Sequence, residues 1–117
     1  MPSHRTIVYM SNRWGIPAEV EKVVRQRDTK CVYCGVEFSA EKNSRRNKSS
    51  WEHMVNDIRL NEVDNIALCC MSCNASKGSK LIKDWLLSSY CIEKGITPAT
   101  VAQVVKNIIS KPCLVLK

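Results

Sequence analysis

Two short cysteine pairs do most to limit the folds open to this chain. They are Cys31-Val32-Tyr33-Cys34, followed by Gly35, and Cys70-Met71-Ser72-Cys73, with 35 residues between them. A two-residue spacer lets both sulfurs of one tight turn face the same ion, and four thiolates complete the tetrahedral coordination of zinc. The pattern therefore predicts a four-cysteine zinc site built from Cys31, Cys34, Cys70 and Cys73. Such a site clamps the ends of the intervening segment and holds it as one closed loop. Four protein ligands leave no open position on the ion, so its expected role is structural. Cys69 competes with Cys70, but it would leave a three-residue spacer to Cys73 and break the symmetry of the two turns. It is expected to end a strand with its thiol in the core. Cys91 and Cys113 are expected as small buried hydrophobes.

The remaining composition narrows the class. Seven cysteines are an odd number, and no long apolar stretch of the signal-peptide kind opens the sequence. Both point away from a disulfide scaffold and toward a reducing, cytoplasmic setting. No run approaches the ~20 apolar residues of a membrane span, so no membrane partner is expected. A length of 117 residues suits one domain. With a single Phe the core has to be aliphatic. Net charge is +7, unevenly placed: residues 51–73 carry four acids against one base, while the flanking segments are basic. Basic surfaces attract phosphates, and carboxylates gathered in a pocket can hold a divalent cation.

Local patterns give an α+β expectation. Residues 17–27 should form a helix, with Pro17 at its first position, Glu19 and Glu21 in the early turns, and Arg25 and Arg27 in the last. Val20, Val23 and Val24 should face the core. Residues 39–50 are polar without an apolar period and suit a surface loop, whose Arg45, Arg46 and Lys48 can follow a phosphate backbone. Residues 50–55 alternate as a strand, with Trp51, His53 and Val55 on one face and Glu52 and Met54 on the other. Residues 66–69 are the partner strand. A helix starting near Met71 or Ser72 should carry Asn74 and Lys77 on one face and end at Gly78. Residues 80–92 and 97–110 are expected as two further helices, the last with Thr97 as cap and Pro98 as first residue. Its apolar stripe is Val101, Val104, Val105, Ile108 and Ile109. Residues 1–16 are left as an N-terminal arm.

Between the cysteine pairs lies an acid next to a histidine, Glu52-His53, then Asn65 before the short apolar strand, then Cys73-Asn74-Ala75-Ser76-Lys77-Gly78. In this order the residues resemble the HNH endonuclease family, over roughly residues 17–80. The resemblance implies a ββα-metal core: a two-stranded antiparallel hairpin plus a helix, stapled by the four-cysteine zinc site and wrapped by the helices of 81–110. It implies a metal-dependent endonuclease that hydrolyses DNA phosphodiester bonds, with DNA as the partner. His53 then matches the general base and Asn65 the residue that pins the connecting loop. Glu52 and Asn74 match the ligands of a catalytic Mg²⁺ or Mn²⁺, and Lys77, with Lys80 beside it, a basic position near the phosphate. A neutral imidazole with a pKa near ~6.5 can take a proton from water. Two departures stand out: Asn74 replaces the more usual His, and the residues after His53 lack the family's frequent Pro and Gly. One such site cuts one strand, so a double-strand break calls for a homodimer, with the stripe of the final helix as its expected surface. A zinc-ribbon nucleic-acid-binding module without catalysis accounts equally for the cysteines and the charge. It leaves Glu52, His53 and Asn74 unexplained.

Overall fold

The polar stretch after Val55 ends at Asn65, and there the chain turns back on itself. In the computed structural model, which describes residues 15–38, 45–57 and 60–110, the result is an antiparallel hairpin of β1 (Ser49–His53) and β2 (Ile66–Cys70). The pairing runs from Ser49 opposite Cys70 to His53 opposite Ile66. A helix, α1 (Ala18–Arg27), precedes the hairpin, and a 3-10 turn (Arg45–Asn47) leads into it. Four helices follow: α2 (Met71–Lys77), α3 (Ile82–Trp85), α4 (Ser89–Lys94) and α5 (Gln103–Ile109). The protein is α+β. The expected arm and its basic residues lie outside the described residues, except for residues 15 and 16, and so does Cys113.

Every residue of β2 is buried, because both faces of the hairpin are covered. On one face Ile66 and Leu68 pack with Trp51 against Val20 and Val24 of α1 and against Ile16. On the other, Ala67 and Cys69 join a larger core with Tyr33, Met54, Trp85 and the apolar side chains of the C-terminal helices. Val24 is the valine of α1 that reaches the interior; Val23, expected in the core, is 47% exposed. Pro17 stands just outside the helix as its extended cap residue instead of opening it.

The join between α1 and β2 is a polar one. Asp28 ends α1, is buried, and accepts the amide of Leu68 at 3.0 Å through Oδ2. Arg27 grips both oxygens of the same carboxylate and donates to the carbonyls of Val63 and Ile66. On the same residue of β2, the Leu68 carbonyl accepts the amide of Val32 from the first cysteine turn. The outer edge of β2 is thus closed by side chain and loop, which protects it from pairing with another chain.

The C-terminal helices are more broken than periodicity suggests. Residues 80–92 divide into α3 and α4 because the Ser88 side chain accepts the amide of Cys91 and starts a new helix. Cys91 is buried there, while Leu81 and Ile92 are exposed. Thr97 does cap a turn, accepting the amides of Ala99 and Thr100. The chain then leaves helical geometry, because the Ala102 amide goes to the carbonyl of Val32, and α5 begins only at Gln103. A tertiary hydrogen bond has overridden the local helix signal. The stripe expected as a homodimer surface is mostly enclosed: Val101, Val104, Val105 and Ile108 are buried in the chain's own core.

Asp28→Ala strands the Leu68 amide and removes the partner of Arg27. It should lower the unfolding free energy of the metal-loaded protein by about 2–4 kcal/mol, read as a reduced urea midpoint with an unchanged slope.

Candidate functional site

The four expected sulfurs meet. The Sγ atoms of Cys31, Cys34, Cys70 and Cys73 all lie within 4.8 Å of one another, an arrangement that can hold a metal ion. The two turns match in detail. The Cys34 amide donates to Cys31 Sγ at 3.4 Å, and the Cys73 amide to Cys70 Sγ at 3.4 Å. Gly35 allows the first turn to close, with φ of +80° and its amide on the Cys31 carbonyl. The second turn is the start of α2 itself, with Cys70 as its cap. Cys34 and Cys70, one from each turn, stand 3.8 Å apart. Tetrahedral coordination with bonds of ~2.3 Å separates sulfurs by ~3.8 Å, so the donor set fits a thiolate-bound ion. Hydrogen bonds from Cys70 and Cys73 pull the Cys31 thiol down to about 2, while the same contacts push Cys73 far above the usual thiol range and Cys70 up to about 11. Tyr90 adds an O–H···S contact to Cys73 at 3.3 Å.

Cys69 stands apart. It is fully buried on the opposite face of β2, and burial, reinforced by the charge of Glu52, pushes its thiol well above the ordinary range.

The hairpin register fixes where the other candidate residues lie. His53 is four residues along β1 from the end that pairs with Cys70, or ~13 Å at the usual rise per residue. The cysteine cluster and the imidazole therefore occupy opposite ends of the hairpin. His53 is half-buried, and its Nε2 lies 2.8 Å from Asn61 Oδ1. An amide oxygen only accepts, so in this contact Nε2 is the donor. Asn61, taken from sequence only as part of a polar connection, is thus a contact that orients the ring. Asn65 is buried and bonds three times across the turn. Its Oδ1 accepts the Val55 amide, and its Nδ2 donates to the carbonyls of Val55 and Leu60. The segment immediately after His53 is thereby fixed.

Glu52 faces the other way, as alternation requires. Small Ala67 lies across from it. Its Oε2 accepts the Tyr33 hydroxyl at 2.7 Å and lies 2.9 Å from Lys77 Nζ. Glu52 is 4% exposed and Lys77 0%. Asn74, one turn before Lys77 on α2, donates through Nδ2 to Ser50 Oγ and the Trp51 carbonyl. The structure thus gathers Glu52, Lys77 and Tyr33 on one face of β1 and holds His53 on the other.

This arrangement does not suit a hydrated divalent ion on Glu52. A hard cation such as Mg²⁺ keeps several waters, and here the carboxylate is enclosed and already faces an ammonium. Lys77, which the resemblance matches to a basic position near the phosphate, is fully interior. Tyr33 was missed as well: a tyrosine between two cysteines of the cluster carries no sequence signal for reaching a carboxylate 19 residues on. Among the other basic candidates, Arg46, Lys48 and Lys80 are exposed, and Arg45 lies in the 3-10 turn. Lys80 and Lys83 border an apolar cleft with Met54, Val55 and Asn56, just beyond His53. Among the described residues no helix is long and apolar enough to cross a membrane.

Native mass spectrometry separates the competing ligand sets. Cys70→Ala should lose the bound ion, whereas Cys69→Ala should keep one equivalent, because only the former removes a sulfur from the cluster. Searches against protein-family models, curated proteins and solved structures found no match, so the functional reading rests on these residues themselves.

Proposed function

We propose that this chain is an HNH-type endonuclease that hydrolyses DNA phosphodiester bonds, with the four-cysteine cluster holding a structural zinc ion. The observation that carries the reading is the end of the hairpin: a half-buried His53 stands next to a turn fixed by three bonds from Asn65. A buried asparagine committed wholly to holding the backbone after a histidine is a costly device for a mere packing residue. It suits an imidazole that has to present one nitrogen in a constant direction.

The roles follow from the geometry. With Asn61 Oδ1 accepting a hydrogen bond from Nε2–H, Nδ1 is the nitrogen free to draw a proton from a water aligned on a phosphorus atom. The zinc would be held by Cys31, Cys34, Cys70 and Cys73. It supplies rigidity to the junction of β1, β2 and α2, and no open position for hydrolysis. Exposed Lys48, Arg46, Lys80 and Lys83 provide charge for a nucleic-acid backbone, in keeping with contacts that position rather than read sequence. Catalytic Mg²⁺ or Mn²⁺ on Glu52 and Asn74 is not part of the arrangement seen, because Lys77 holds the carboxylate. That same pairing favours a second reading, a zinc-ribbon module that binds nucleic acid without cutting it.

A supercoiled-plasmid assay with Mg²⁺ or Mn²⁺ decides between them. Wild type should nick or linearise the plasmid, and His53→Ala with its zinc retained should be slower by about 10²–10⁴-fold. DNA shifted on a gel but left intact by wild type under every metal would support the binding module instead.

A further inference from the structure

We infer that Lys77 is the resident counter-ion of Glu52, and that a divalent cation can take this carboxylate only by displacing the ammonium. Three observations carry this. The two charges are 2.9 Å apart and both side chains are enclosed, so no solvent screens them and the pair is neutral as a unit. The carboxylate is gripped from two sides: Lys77 approaches from α2, and the Tyr33 hydroxyl from the first cysteine turn reaches the same oxygen. Finally, among the described residues the fully buried ammonium makes no hydrogen bond of full geometry, so the charge contact with Glu52 is what compensates it.

A doubly charged ion on Glu52 would sit within a few ångströms of this ammonium, and the repulsion between them inside a buried site is large. The two cations are therefore alternative partners of one carboxylate. The reverse change has an equally definite sign: removing the ammonium leaves a buried carboxylate with an uncompensated charge, which a metal ion would then neutralise. The inference concerns binding at Glu52 alone and does not depend on whether the chain cleaves DNA.

The test is Mn²⁺ titration of the zinc-loaded protein without DNA, following free Mn²⁺ by electron paramagnetic resonance. Wild type and Glu52→Gln should titrate alike. Lys77→Met should gain a site at least about tenfold tighter than any in wild type, and Glu52→Gln/Lys77→Met should lose it. A tight site in wild type that disappears in Glu52→Gln would overturn the inference, as would a Lys77→Met titration identical to wild type. Should Lys77→Met fail to fold or to keep zinc, the comparison of wild type with Glu52→Gln decides alone. Cleavage of plasmid by wild type is measured separately, so failure here leaves the nuclease reading standing, and its failure leaves this one.

Discussion

Four sulfur atoms join the parts of this molecule that carry chemistry. Cys31 and Cys34 belong to a tight turn, while Cys70 ends β2 and caps α2, whose first turn supplies Cys73. Drawing these atoms together fixes where β2 stops and in which direction α2 leaves. That direction lays Asn74 on β1 and brings Lys77 to Glu52. The turn also carries Tyr33 inward to the same carboxylate and offers Val32 to both Leu68 and Ala102. Removing the junction would therefore release all of these contacts at once. In a chain of this size, with a modest aliphatic core, metal binding and folding are expected to be strongly coupled.

The hairpin then separates two tasks. Its cysteine end meets the sulfur cluster, and its far end, where His53 pairs with Ile66, is partly open. Between them the two faces of β1 are given different company. The side with Glu52 meets the large core and is closed, whereas the side with Trp51 and His53 meets α1. Arg25 lies over the Trp51 ring there, 4.9 Å from its centre. The carboxylate and the imidazole are neighbours in sequence, yet they occupy environments with little in common.

Much of the architecture was legible because its signals were local or periodic. Cysteine spacing pointed to the cluster, alternation in 50–55 separated Glu52 from His53, and Gly78 marked the end of α2. The helices after Gly78 were less legible, since the Ser88 cap and the Ala102–Val32 bond compete with helix propensity and only one of the two is local. Charge was the least readable property. Lysine is almost always exposed, and nothing in Asn74-Ala75-Ser76-Lys77 marks the last residue as interior. Its burial follows from where α2 points, which depends on the sulfurs. Tyr33 and Asn61 were hidden for the same reason: each matters through a partner that the fold, and not the sequence neighbourhood, provides.

The strict alternation along β1 also makes strand length a matter of function. A single residue inserted between Ser49 and Glu52 would shift the register by one and exchange the two faces. Glu52 would be carried to the side of α1, and His53 would take the place of Met54 in the large core. Lys77 would then be left in the interior without its counter-charge, and Asn65 would fix a backbone that no longer presents a histidine outward. A change in the number of residues inside the strand thus reaches all of them. The hairpin should accordingly tolerate variation in what its residues are far better than variation in how many there are.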